Sequence, residues 1–205
     1  MSPVDEGGER KRKQAEMRAA GRLPPGQSLT EKWPVLHYGA VPQVDLARWD
    51  LRVFGRVQAP LRLDWQALRA LPHRRVTSDI HCVTTWSRFD CAWEGVSVGE
   101  LLAQARPLPE ARFALVHAEH GFTANVPLED LRDPSVLLAW SMNAEPLAPE
   151  HGWPLRLVVP KLYFWKSVKW VRGFELLERD QPGFWERNGY HMRGDPWKEE
   201  RHSEE

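Results

Sequence analysis

The sequence predicts a mixed, strand-rich α+β domain, and three features carry that expectation. Apolar runs alternating at period two outnumber those at helical period, and the two kinds do not alternate regularly, which argues against a doubly wound parallel sheet. The 17 prolines and 14 glycines keep resetting the apolar pattern from Trp33 to about Arg187. No segment repeats at a fixed period, so solenoids and propellers are excluded. With 42% hydrophobic residues and 11 tryptophans, the 205-residue chain can build one substantial core.

Residues 1–32 are charged, Gly- and Pro-punctuated and poor in apolar periodicity, so they are read as a flexible, solvated arm. The body spans 33–186, and residues 187–205, ending in RGDPWKEERHSEE, form a charged tail of the same character. Within the body, LRVFGRV (51–57) sets Leu51, Val53 and Val57 at strand spacing, interrupted by Gly55. LDWQALRALP follows with Leu63, Ala67, Leu68 and Leu71 at helical spacing, Asp64 as N-cap and Pro72 as stop. RVTSDIHCV alternates Val76, Ser78, Ile80 and Cys82, so a strand delivers Cys82 into a loop. Ser97 and Glu100 form an S-x-x-E capping box that starts a helix at about Val98. Strands are predicted at 112–122, 135–143, 154–160 and 166–178, with a short helix at 127–131.

Composition narrows the function. Lys plus Arg and Asp plus Glu number 28 each, so no global field draws the protein to nucleic acid or an acidic membrane, and any bound anion must be held locally. No apolar run is long enough to span a bilayer. The N-terminal stretch has neither an apolar h-region nor a twin-arginine pair, which places the chain in the cytoplasm, where its two cysteines stay reduced. The phosphate-loop, dinucleotide, serine-hydrolase and zinc-protease motifs are all missing.

What remains is a set of soft, basic and aromatic groups. Cys82, at a strand-to-loop junction beside His81 and Thr84–Thr85, is either a small buried hydrophobe or a thiolate able to bind a soft metal. Cys91, between Phe89 and Trp93, reads as core packing. Arg156 interrupts an apolar strand and needs an anionic partner, whether one of the acids or a ligand. Lys166 and Lys169 bracket Ser167 and Val168 in a stretch that suits either a phosphate or a solvated strand edge. His117 and His120 have metal-ligand spacing only if helical, and their surroundings look extended. A zinc site built from Cys82, Cys91 and His81, His117 and His120, or a non-catalytic module stacking ligands on tryptophans, are the rival readings.

HCVTTWS followed by WEGVSVGELL, and GWPLRLVVPKLYFWKSVKWVRGFEL, together resemble the cofactor-cysteine loop and the lysine-bearing cofactor-binding block of the sulfite oxidase-type molybdenum-pterin oxidoreductases. The resemblance covers about residues 33–186. It implies an enzyme carrying the molybdenum-molybdopterin cofactor and performing two-electron oxygen-atom transfer on a small molecule such as sulfite or a sulfoxide-like compound. It implies Cys82 as the protein ligand to molybdenum, and His151 and Arg156 facing the pterin and its phosphate. Lys166, Ser167, Val168 and Lys169 would form the phosphate site, with His37 and Tyr38 contacting the pterin from the other side. Arg88, six residues beyond Cys82, is the candidate to hold an anionic substrate, or else a loop charge. The chain lacks the haem and dimerisation domains of animal sulfite oxidases. The expectation is therefore a minimal single-domain member served by an unidentified electron donor or acceptor protein.

Overall fold

In the computed structural model, which describes residues 6–203, two β-sheets pack over one apolar core. In chain order the elements are α1 (Glu6–Ala19), β1 (Ser28–Leu29), β2 (Asp50–Gly55), β3 (Leu61–Asp64), α2 (Trp65–Ala70), β4 (His73–His81), β5 (Trp86–Ser97) and α3 (Val98–Ala105). They continue with β6 (Phe113–Ala118), β7 (Thr123–Pro127), α4 (Leu128–Leu131), β8 (Leu137–Met142), β9 (Glu145–Pro146), β10 (Arg156–Val158), β11 (Val171–Leu177) and α5 (Phe184–Arg187). One sheet runs β1-β5-β8-β10, with β4 on β5 and β9 on β8; the other runs β3-β2-β11-β6-β7. Both are mixed, since β1 lies parallel to β5 and β2 parallel to β11. This is the α+β architecture that the apolar patterning predicts.

Local chemistry accounts for the element ends. Asp64 caps α2 by accepting the Ala67 N–H at 2.8 Å. Ser97 caps α3 through the Glu100 N–H, but the Glu100 carboxylate turns to Arg74 instead of closing the capping box. Strand β8 is buried on both faces, with Leu138 and Trp140 in the main core and Leu137 and Ala139 in a second cluster around Trp93 and Cys91. Its apolar run therefore shows no clean alternation. Gly95 sits where β5 shifts register against β8; a Cβ there would lie 2.0 Å from the Leu138 carbonyl oxygen, so only glycine lets the strands approach.

Three expectations need correction. The predicted strand over 166–178 is a strand only from Val171; a 3₁₀ turn over Phe164–Lys166 and irregular backbone over 167–170 precede it. Residues within the expected arm 1–32 are ordered against the body. Leu23, Gln27 and Leu29 are buried, β1 joins the first sheet, and Arg22 bridges Asp79 and Asp90 at 2.7 Å each. The expected tail 187–205 also packs, up to the last described residue: Gly194 and Pro196 are buried and Arg201 donates to the Val83 carbonyl at 2.6 Å. Both segments are too charged to suggest burial by composition, yet a few apolar and amide side chains at the right positions suffice to dock them. No helix among the described residues is long and apolar enough to cross a membrane.

Candidate active site

A cavity of about 530 Å³ opens where the tight β4–β5 connection, segment 33–40, the β6–β7 turn and loop 164–170 converge. Its size suits a small-molecule or cofactor site. At one end lies Cys82. The β4–β5 hairpin turns through 82–85, with the Cys82 N–H donating to the Trp86 carbonyl and the Thr85 N–H to the Cys82 carbonyl. Thr85 takes the positive φ of 73° that so short a turn needs. The Cys82 Sγ is 3.2 Å from the Thr84 hydroxyl, and burial raises the thiol above its ordinary value, opposed by Thr84 and by Arg201. A soft cation binding there displaces the thiol proton. The neighbouring His81 is buried and neutral, pushed down to about 4 by burial.

At the other end lies Arg156, fully buried and with no carboxylate partner among the described residues. Its two terminal nitrogens donate to the His151 and Ser167 carbonyls at 2.8 Å each, while its Nε has no partner. The rings of Phe164, Trp33 and Trp93 surround the guanidinium at 4.3, 5.4 and 5.8 Å. Burial pushes its pKa down to about 9. Lys169 stands beside it, its Nζ donating to the Glu150 carbonyl at 2.8 Å, and burial together with Arg156 pushes its ammonium down to about 7. The two cations can crowd because residue 152 is glycine, at φ +111°. A Cβ there would lie 3.0 Å from that of Arg156 and 3.2 Å from that of Lys169. On the same wall the backbone N–H groups of Val168 and Lys169 find no acceptor among the described residues.

An uncompensated buried guanidinium, a second depressed cation and unpaired N–H groups together form a cradle for an anion. A soft sulfur at the far end of the same cavity adds a metal ligand. The walls between are aromatic: Trp33 stacks on His151 at 3.8 Å with the planes 6° apart, and Trp170 and Trp185 also line the space. Burial and Arg156 hold His151 neutral, at about 4. A flat, anion-bearing heterocycle with a metal-binding end fits this donor set.

The structure gathers Cys82, His37, Tyr38, His151, Arg156, Ser167, Val168 and Lys169 around this one cavity. It does not bring Lys166 or Arg88 there. Lys166 is fully buried and turned away, its Nζ donating to Glu186 Oε1, Asn125 Oδ1 and the Asn125 and Met192 carbonyls at 2.6–2.9 Å. Lys166 ends the 3₁₀ turn Phe164–Lys166, where Asn125, Glu186 and the Met192 carbonyl take its ammonium, while Lys169 lies in the irregular backbone at the cavity wall; even an extended strand would have set positions 166 and 169 on opposite faces. Arg88 lies in β5 opposite Ile80, over the Trp33 ring at 5.8 Å, because the strand resumes at Trp86 and carries it away from the opening. The residues proposed for zinc do not come together as a set, although His81 adjoins Cys82 and His120 lines the same cavity. His117 pairs with Glu175 at 2.9 Å, Cys91 is sealed in the second cluster, and the described residues contain no group of three or more metal-ligating side chains. Tyr190, which sequence reading left in the tail, lines the cavity between Trp165 and Trp185, its hydroxyl pushed up by burial and by Cys82. Its place three residues after the end of α5 is not marked by any local pattern.

The fold and cavity define a two-sheet α+β domain with a cysteine at one end of its cavity and a buried, carboxylate-free arginine at the other. A family model described as the oxidoreductase molybdopterin binding domain matches residues 38–185, and the chain belongs to that family. It is thus an oxidoreductase that uses the molybdenum-molybdopterin cofactor. The chain is 50% identical over 183 residues to the uncharacterized oxidoreductase YuiH of Bacillus subtilis (strain 168), covering 89% of this chain and 92% of that one. It is 30% identical over 158 residues to the protein-methionine-sulfoxide reductase catalytic subunit MsrP of Gluconobacter oxydans (strain 621H), covering 68% of this chain and 50% of that one. The solved sulfane dehydrogenase SoxCD of Paracoccus pantotrophus matches in fold with a TM-score of 0.65 at 24% identity, over 75% of this chain and 43% of that one. The chain thus spans nearly all of YuiH but half or less of the other two.

Proposed function

We propose that the protein is a sulfite oxidase-like enzyme that transfers an oxygen atom, with two electrons, to or from a small sulfur-oxo substrate of the sulfite or sulfoxide type. The observation that carries this reading is the single cavity shared by the Cys82 thiol and the Arg156 guanidinium, which has no carboxylate partner among the described residues and a free Nε. Cys82 would hold the molybdenum as a thiolate, a softer donor than the serine that could occupy the same space. Arg156, Lys169 and the N–H groups of Val168 and Lys169 would take the pterin phosphate, with Ser167 placing them: its hydroxyl accepts the Val159 N–H at 2.9 Å and its carbonyl accepts Arg156. His151, neutral and flat on Trp33, would lie along the pterin, and His37 and Tyr38 would cover it from segment 33–40. When bound, the cofactor would supply the redox centre at which the oxygen atom is given to or taken from the substrate. The protein's part is to bind, orient and exclude water through its aromatic walls. Two unbridged thiols fit a cytoplasmic location, and turnover requires an electron-carrying partner protein.

Elemental analysis with pterin identification, on protein from a cofactor-competent host, tests the reading directly: molybdenum and pterin are expected in equal amounts. Zinc in their place, or neither, would overturn it.

The anion cradle also predicts a pH dependence. Lys169 is about half protonated near pH 7 in the empty cavity, and an arriving phosphate draws a proton onto it. Binding therefore takes up a proton above pH 7 and weakens as pH rises. Sulfate, a tetrahedral anion whose charge stays constant over this range, should stabilise the cofactor-free protein against heat more at pH 6 than at pH 9, and Lys169→Met should remove most of that difference. Equal protection at both pH values in the unmodified protein would count against the cradle.

A further inference from the structure

Every carbonyl of the turn that carries Cys82 is occupied. The Cys82 carbonyl accepts from the Gln27 amide at 3.1 Å as well as from Thr85 N–H; the Val83 carbonyl accepts from Arg201; the Thr84 carbonyl from the Thr85 hydroxyl; the Thr85 carbonyl from the Ser28 N–H at 2.9 Å. Three of these donors, Gln27, Ser28 and Arg201, come from outside the β4–β5 hairpin. They belong to the two segments whose composition suggested they would be free.

Gln27 does more than close one bond. Its Oε1 accepts from the Ser87 hydroxyl at 3.1 Å, and the Ser87 oxygen is 2.8 Å from His81 Nδ1. The direction of this chain follows from its end. A carbonyl can only accept, so the Gln27 Nε2 must donate to Cys82 and its Oε1 must receive the Ser87 proton. Ser87 then has no proton left for His81, so His81 Nδ1–H donates to it. Gln27 and Ser87 are completely buried and His81 nearly so. The order is thus fixed from His81 through Ser87 and Gln27 to the backbone of Cys82, crossing from β4 to β5 to the docked strap and back to the turn.

We propose that Gln27 is a positioning residue: through this buried chain it fixes the backbone of the Cys82 turn, and with it the direction in which the sulfur is presented to the cavity. The proposal rests on the reading of Cys82 as the molybdenum ligand. Glutamine suits the role because one side chain must donate to a carbonyl and accept from a hydroxyl at the same time. Neither glutamate nor methionine can do both.

The test compares the full chain with Gln27→Met and Gln27→Glu. The first keeps length and loses both bonds; the second keeps the acceptor and loses the donor, and serves if the first does not fold. In cofactor-free protein, alkylation by iodoacetamide followed by mass spectrometry should be about tenfold faster at Cys82 in either variant, with the rate at Cys91, buried in the same sheet, unchanged. In loaded protein the sulfur-to-molybdenum visible absorption should shift. An unchanged Cys82 rate, or an equal rise at both cysteines, overturns the proposal, the latter because it reports general loosening. A band that survives Cys82→Ser sinks the ligand reading and the proposal with it. A band lost in Cys82→Ser yet unmoved in both Gln27 variants overturns the positioning role alone.

Discussion

Cys82→Ser is expected to keep the fold, lose the sulfur-to-metal visible absorption and lower turnover by more than the roughly 10–100-fold typical of removing a group that merely supports a metal ligand. The fold survives because serine is nearly isosteric and its hydroxyl retains the Thr84 hydroxyl as a partner. The chemistry does not, because a hard oxygen replaces the soft sulfur and an alcohol does not ionise where burial already holds a thiol protonated. Cys91→Ser separates the two thiols. Its Sγ lies in the cluster of Ile80, Trp93 and Leu137, at 3.9–4.0 Å from the Phe89 and Arg88 carbonyls, and burial pushes its thiol up to about 11. Serine there should cost about 1–3 kcal/mol for a hydroxyl buried among apolar side chains, while absorption and activity persist. Denaturant unfolding, visible spectra and steady-state assays on the two variants read these outcomes. A Cys82→Ser enzyme that turns over and keeps its band would end the assignment.

Much of the fold was legible because it is written in local patterns. Asp64 and Ser97 are caps at positions their sequence context marks, and the alternation of Val76, Ser78, Ile80 and Cys82 is enough to put the cysteine at a strand end. Arg156 was legible by contradiction, since a cation in an apolar run demands an anion, and no carboxylate among the described residues meets that demand. What could not be read depends on partners far along the chain. Gln27 meets Cys82 across 55 positions and Lys166 meets Asn125 across 41, and no periodicity encodes such pairs. The charged flanking segments misled for a related reason. Composition reports average solvation, whereas docking turned on Leu23, Gln27 and Leu29 on one side and on Gly194, Pro196 and Arg201 on the other. The expected strand over 166–178 begins only at Val171, because the bonds Leu157 N–H to Val168 carbonyl and Glu119 N–H to Trp170 carbonyl hold loop 167–170 irregular. That irregularity leaves the N–H groups of Val168 and Lys169 without an acceptor among the described residues at the cavity, while the Ser167 N–H donates to the Phe164 carbonyl.

Lys166 provides the sharpest contrast between structural and ligand-binding cations. Its ammonium and the Glu186 carboxylate are both completely buried, 2.6 Å apart, and Trp165 Nε1 donates to the same carboxylate oxygen at 2.8 Å. Burial lowers the Lys166 pKa and Glu186 opposes the shift, while the Asn125 and Met192 carbonyls also face the ammonium. Lys166→Met removes the one buried cation paired with that carboxylate and should cost about 3–5 kcal/mol, the range for breaking such a pair from one side. Lys166→Met combined with Glu186→Gln removes both charges while the amide can still accept from Trp165, and should recover a large part of the loss. A double-mutant cycle by denaturant unfolding measures that coupling. The same variants discriminate function: under conditions where Lys166→Met is folded, its phosphate affinity should match that of the unmodified chain, whereas Lys169→Met should weaken it. Equal weakening by the two would place Lys166 back among the cofactor-binding residues, against the direction in which its side chain points. The physical reason to expect otherwise is that an ammonium already giving its protons to four acceptors at 2.6–2.9 Å has none left for a phosphate.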